Sequence, residues 1–224
     1  MPPRMKLVLP PITFDAGHGG DHTGAVTYFP GTKIPWLIEA ALNWSVVGKV
    51  CVEANVASKC INETRVRPWD APNLEDRAEF ANSKNSNLFV SVHFNAAEDP
   101  SAHGIEVLYH PGSKENRSMI VAERMQDILI RMTSARDRGI KPREDLVVLN
   151  KTLMPAVLVE CGFISNPEEA SYIAMDSYLD CLAAGIWRGT IEGLKAIGVR
   201  PKMVPLIEKG VPAGPFNPRV PQKP

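Results

Sequence analysis

Leu88-Phe89-Val90-Ser91-Val92-His93 and Ala156-Val157-Leu158-Val159-Glu160 are the two stretches on which the fold of this chain turns. Both are short, rich in β-branched and aromatic residues, and apolar at nearly every position, the pattern of strands buried on both faces of a sheet. Each ends on a side chain able to bind a metal or move a proton. In an open α/β sheet the residues just beyond the strand ends converge in space while staying far apart in sequence. The two runs therefore predict a site at the carboxyl edge of a sheet.

The flanking sequence alternates strand and helix signals. Ile12-Thr13-Phe14 reads as a first strand, followed by the turn Ala16-Gly17-His18-Gly19-Gly20, whose glycines rule out a helix and put His18 on a loop. Ile38, Leu42, Val46, Val50 and Ala54 repeat every four residues, giving a helix with Glu39 in its first turn. A strand is expected around Lys59 to Thr64, and a helix capped by Asn73 through Asn82. Further strands are predicted at Ile105 to Tyr109, Leu146 to Leu149 and Ala156 to Glu160, and a long helix from Ser113 to Thr133. Asn166-Pro167-Glu168-Glu169 opens another helical region, and a last helix ends near Gly198. The expected fold is α/β: a central, mainly parallel, twisted sheet with helices on both faces.

That fold accounts for residues 1–198 as one domain. From 199 to 224 prolines take over, and from Pro212 they recur every third residue, so this tail is expected to be extended, as in polyproline II, or disordered. Lys plus Arg and Asp plus Glu both number 25, which leaves no global basic field to recruit nucleic acid or an anionic membrane. No stretch approaches the roughly 20 apolar residues that span a bilayer. The first eleven residues are too short in apolar character for a signal peptide, so synthesis in the cytoplasm without export is the expectation. Cys51, Cys60, Cys161 and Cys181 lack metal-binding or paired spacing and read as buried hydrophobes. Cys161, next to Glu160 on a strand, should point to the opposite face.

Catalytic zinc is held by three ligands drawn from His, Glu, Asp or Cys, with a fourth position open to water. His18, Glu39 and His93 supply such a set. A carboxylate outside the set would take the proton of that water and deliver it to a leaving group, and Glu160 is the candidate. Any one of these histidines, taken alone, reads as a core or surface residue; the combination makes the site. His22 is expected at the rim, His103 and His110 outside it. Arg77 has two readings, a fork for a substrate carboxylate or a structural salt bridge, with the second favoured, and Arg138 follows it.

Phe14-Asp15-Ala16-Gly17-His18-Gly19-Gly20, Glu39 with Asn43, Thr64-Arg65, Leu74 to Arg77 with Ala81-Asn82, Ser91 to Ala96, Gly104 to Val107, Arg138-Gly139-Ile140 and Pro155 to Asn166 follow one another in this order. Together they resemble the zinc-dependent N-acetylmuramoyl-L-alanine amidases of the amidase-3 family, from about residue 10 to residue 197. The resemblance implies that His18, Glu39 and His93 bind Zn2+ and that Glu160 is the catalytic acid/base. It implies as substrate the amide joining N-acetylmuramic acid to L-alanine in peptidoglycan. Two departures, His22 where the family often has proline and Asn95 where alanine is common, touch the rim and not the metal set.

With no export signal, the resemblance points to a phage endolysin that is monomeric, does not insert in membranes, and reaches the wall through a separate pore. Two alternatives stay open: a noncatalytic peptidoglycan-binding module, and a zinc peptidase cutting within the stem peptide.

Overall fold

The two apolar runs lie side by side at the centre of a six-stranded sheet. The computed structural model describes residues 5–54, 60–112, 116–200 and 202–205. Its strands and first helices run β1 (Met5–Val8), β2 (Ile12–Ala16), β3 (Val26–Tyr28), β4 (Pro35–Ile38), α1 (Glu39–Glu53), β5 (Ile61–Glu63) and α2 (Leu74–Ser83). There follow β6 (Leu88–Asn95), β7 (Ile105–Tyr109), α3 (Arg117–Thr133), β8 (Asp137–Pro142) and α4 (Val147–Asn150). The chain continues through β9 (Ala156–Phe163), α5 (Pro167–Ile173), α6 (Asp176–Ala196) and β10 (Lys202–Pro205).

Strand order in the main sheet is β5-β2-β6-β9-β7-β8. β5, β2, β6 and β9 run parallel, β7 is antiparallel to β9, and β8 is parallel to β7. Because side chains alternate across a strand, each central run feeds two different layers. Leu88, Val90, Val92, Val157 and Val159 join Ile12, Phe14 and residues of α1, α3 and α6 in the larger core. Phe89, Ala156 and Leu158 face the other way, into a smaller cluster with Ala81 of α2 and Val148 and Leu149 of α4. Cys161 is fully buried in the larger core, on the opposite face from Glu160, and all four cysteines are free.

The second layer is thin, since α2 has 10 residues and α4 only 4. It covers the amino-terminal half of that sheet face and leaves the carboxyl ends of the parallel strands accessible. The expected caps are present: Asn73 accepts a hydrogen bond from the Asp76 amide at 2.7 Å, and Asn166 accepts from the amides of Glu168 and Glu169 at 3.0 and 2.9 Å.

Leu146–Leu149 is not a strand but the lead-in and body of α4. A four-residue apolar run does not distinguish strand from helix, and here Val148 and Leu149 point together into the smaller cluster, as one helical face does. β8 is a further departure: its Asp-Arg-Gly-Ile-Lys-Pro sequence is that of a charged edge strand, which carries little apolar signal. The hairpin β3–β4 precedes α1, so the helix starts at Glu39 with Ile38 extended as its cap. Lys59, Ser113 and the proline-rich segment beyond 205 lie outside the described residues; the first part of the tail, Lys202–Pro205, pairs antiparallel with β1.

Candidate metal centre

Glu39 owes its position to two backbone contacts at the start of α1. Its own amide donates to the Ala25 carbonyl at 2.9 Å, and the Ala40 amide to Thr23 at 2.9 Å, so the loop before the hairpin satisfies the helix's first orphan donors. The carboxylate is buried. Oε2 accepts from the Ala25 amide at 2.9 Å and Oε1 from the Phe94 amide at 3.3 Å. Oε1 also lies 3.2 Å from His18 Nε2 and 2.9 Å from His93 Nδ1.

The two imidazoles come from different elements. His18 sits in the glycine-rich loop after β2 with a left-handed backbone, φ 59°. His93 is on β6, on the face of the smaller cluster, and the rings meet edge to face with centroids 5.0 Å apart. Gly17 makes room for this approach: a Cβ there would lie 2.1 Å from His93 Nε2. Asn43, one turn into α1, donates to the Gly17 carbonyl at 3.1 Å and ties the loop to the helix that carries Glu39.

One ligand atom from each of His18, Glu39 and His93 falls within 4.8 Å of the others. An ion with tetrahedral bonds of about 2.0–2.1 Å sets its donors about 3.3 Å apart, close to the separations that Glu39 Oε1 makes with both imidazoles. Two neutral nitrogen donors and one carboxylate form a set suited to a borderline divalent cation such as zinc. Burial pushes the Glu39 carboxyl up, but hydrogen bonds from His18 and His93 outweigh it and hold the group well below the usual carboxylate range. For His93 burial acts downward, and the bond to Glu39 with the charges of Glu160 and Glu39 raises it on balance. Without an ion these partners favour an ionised Glu39 and a protonated His93, and an ion binding through His93 would displace that proton.

Glu160 is the direct neighbour of His93 in the β6–β9 register, on the same sheet face. Its Oε2 is buried and has no hydrogen-bond partner among the described residues. Burial first, then repulsion from Glu39 and Glu106, raise the carboxyl to about 7 against the attraction of His93. A cation on the three donors would draw that value down.

The centre opens into a cleft of about 490 Å³, with His18 and His93 at its floor and Leu74, Val147, Val148 and Leu158 on its walls. The short helix α4 is thus one wall, which the strand expectation for this stretch had missed. His22 lies at the rim, exposed, its backbone paired with Gly19. Neither His103 nor His110 belongs to the cluster. A larger cavity, of about 820 Å³, lies between the end of α3 and α5, without a comparable convergence of donors among the described residues.

Arg77 is buried at the edge of the cleft, with Nη1 on Asp15 Oδ1 at 2.7 Å, the salt bridge of the favoured reading. Arg138 is likewise committed, with Nε 2.6 Å from Glu106 Oε2 and its guanidinium over the Phe163 ring. Three residues around the site belong to the quoted motifs but were given no role from sequence. Asp15 accepts from Ser91 Oγ at 2.7 Å and from Thr64 as well as Arg77; Arg65 is fully buried beneath the His18 loop; Glu106 faces Glu160 across β7–β9. Apart from their place in those motifs, a charged residue inside an apolar strand or directly after one is the signal each leaves.

The model of the family described as N-acetylmuramoyl-L-alanine amidase, Amidase_3, matches residues 12–192, from β2 through most of α6. The chain is 31% identical over 181 residues to the N-acetylmuramoyl-L-alanine amidase LytC of Bacillus subtilis (strain 168), covering 81% of this chain and 35% of that protein. To an endolysin of Bacillus phage SPP1 it is 34% identical over 203 residues, covering 85% of this chain and 70% of the endolysin. The crystal structure of the N-acetylmuramoyl-L-alanine amidase from Clostridium difficile 630 matches it with a TM-score of 0.73 at 31% identity, over 84% of this chain and 97% of that one. The chain therefore spans about a third of LytC and most of the other two. With the family match covering most of its length, this chain belongs to the N-acetylmuramoyl-L-alanine amidase family.

Proposed function

We propose that this chain hydrolyses the amide between the lactyl group of N-acetylmuramic acid and L-alanine in peptidoglycan, with zinc held by His18, Glu39 and His93 and with Glu160 as the acid/base. The observation that carries this reading is the convergence of His18, Glu39 and His93, with Glu160 paired to His93 in the strand register and its Oε2 without a partner among the described residues, beside an open cleft that the two imidazoles line. Family membership supplies the bond.

Zinc, when bound, supplies Lewis acidity that polarises an amide carbonyl and brings the pKa of water to about 7. Glu39 contributes the negative charge of the ligand set and, by accepting from the Ala25 and Phe94 amides, is fixed in place. His18 and His93 bring neutral nitrogen donors from two separate elements. Glu160 takes a proton as water adds to the carbonyl carbon and returns it to the amine as the C–N bond breaks, leaving a lactyl carboxylate on the sugar and a free amine on L-alanine. Glu160 Oε2, which has no hydrogen-bond partner among the described residues, is free to take that proton and to give it back. The apolar walls at Leu74, Val147 and Leu158 exclude water from the flanks of the bound substrate.

The likeness to the SPP1 endolysin supports a bacteriolytic phage enzyme that meets the wall from inside, after a separate pore opens the membrane. No helix among the described residues is long and apolar enough to cross a membrane. The test is to digest purified peptidoglycan and identify the new amino termini. L-Alanine, with no new sugar reducing ends, is the expected product; an internal stem-peptide residue would instead make the protein a peptidase, and no product would leave only a binding role.

A further inference from the structure

Arg65 and Arg77 are 1% and 4% exposed, and a buried guanidinium is costly unless hydrogen bonds replace its water. The replacements gather on one short segment. Arg65 Nη1 donates to the carbonyls of Ala16 at 3.4 Å, Gly17 at 3.1 Å and Ala40 at 3.2 Å, and Nη2 to Pro68 at 2.6 Å. Arg77 Nη1 donates to Ala16 at 2.8 Å as well as to Asp15, Nη2 to His18 at 2.6 Å, and Nε to Pro72 at 3.0 Å. Three successive carbonyls, 16 to 18, and the one following Glu39 are thus held by two cations.

The segment so held is strained. His18 has φ 59°, a conformation that costs a non-glycine residue on the order of 1–3 kcal/mol and persists only where its surroundings over-determine it. Gly19 follows with φ 131°, and a Cβ there would sit 2.6 Å from Arg65 Nε. Two like charges packed together also oppose each other: burial and then the neighbouring Arg77 charge lower the Arg65 guanidinium from its usual range. A fold that needed only a loop staple would meet that need at less cost with neutral donors.

We infer that Arg65 and Arg77 are positioning residues for the metal centre: by gripping carbonyls 16 to 18 they keep the His18 loop in its left-handed form, with Nε2 against Glu39, before an ion arrives. The inference rests on the metal reading above. An ion meeting a preorganised ligand pays no ordering cost, whereas a loop that is competent only part of the time weakens affinity by that fraction. A plain staple would change the stability of the metal-free protein and leave its affinity for the ion alone.

The test uses the full chain, stripped of metal and titrated with zinc against a chromophoric chelator and with cobalt followed by visible absorption. Arg77→Met and Arg65→Met remove the grip, and Arg77→Lys and Arg65→Lys keep charge and fold while losing the fork. Zinc affinity is expected to fall about 10- to 100-fold in all four, the range for contacts that orient metal ligands, with a weakened or shifted cobalt band. If a methionine variant does not fold, the lysine variant decides. Wild-type zinc affinity and an unchanged cobalt band in the folded variants would overturn the inference, whatever happens to their unfolding midpoints. His93→Ala separates the two readings: if it binds zinc as tightly as the wild type, or the wild type binds none, the metal reading itself fails and this inference with it.

Discussion

Glu106 and Glu160 face each other across the antiparallel pair β7–β9, on the same side of the sheet, and their surroundings make them different groups. Glu106 accepts from Arg138 Nε at 2.6 Å, Lys141 Nζ at 2.5 Å and Asn95 Nδ2 at 3.3 Å. Burial pushes its carboxyl up, but the bonds to Lys141 and Arg138 prevail and set it below the usual range. Glu160 has a buried oxygen with no partner among the described residues and is raised to about 7. One carboxylate is used up in stapling the edge strand β8, which carries both cations, to its neighbour. The other keeps an oxygen without a partner among the described residues beside His93, where the proposed acid/base role would use it.

The largest expected effect comes from taking away what makes the Glu160 side of this pair functional. A strong chelator should abolish peptidoglycan hydrolysis and added zinc should restore it, while His93→Ala should neither hold the ion nor respond to it. Metal analysis alongside turnover checks both, and chelator-resistant activity would remove the basis for treating the two carboxylates differently.

Stability should separate the pair by sign. Glu160 ionises in the unfolded chain near 4.3 and in the folded protein at about 7. Between those values the folded state holds the proton more tightly, so its stability declines as pH rises through the window. Glu160→Gln should therefore stabilise the metal-free protein at pH 8, on the order of 3–4 kcal/mol, with the gain gone near pH 4. Glu106→Gln should act the other way, costing about 1–2 kcal/mol at pH 8, a figure kept low because Lys141 is 42% exposed. Its depressed carboxyl contributes stability that is present above the unfolded value and is lost as pH falls through the folded one. Denaturant midpoints at the two pH values read all of this, and a destabilised Glu160→Gln at pH 8 would contradict it.

The smallest expected effect sharpens the coupling between the two. The Glu106 charge helps to raise Glu160, so Glu106→Gln should move the acidic limb of the pH–rate profile to lower pH without changing metal content. A limb that stays put or moves up would mean that the charge is not felt across the strand pair.

Much of this arrangement was legible in the chain and part of it was not, for physical reasons. The central strands announced themselves because both faces are buried, and the glycines around His18 excluded a helix there. Glu39 was legible as a first-turn residue, and its meeting with the two histidines follows from the parallel strand ends. Register across β7–β9 was not legible: nothing in Ile105–Tyr109 says that Glu106 will face Glu160, or that the strand runs antiparallel. β8 was missed because an edge strand offers charge where a core strand offers apolar alternation. α4 was misread because Leu146–Leu149 fits either period, and only the packing of Val148 and Leu149 on β9 decides it. Arg65 stood in a matching motif, but its role was not legible because its partners are backbone carbonyls, which no sequence pattern encodes.

The most direct measurement is the rate at which zinc-loaded Glu160→Gln releases L-alanine amino termini from purified peptidoglycan, with the metal content of the same sample. One zinc per chain and a rate about 10²- to 10⁴-fold below wild type are expected, the loss attributable to a missing proton carrier. A rate within tenfold of wild type with zinc in place would contradict the proton-transfer role, and loss of the ion would make Glu160 a ligand instead.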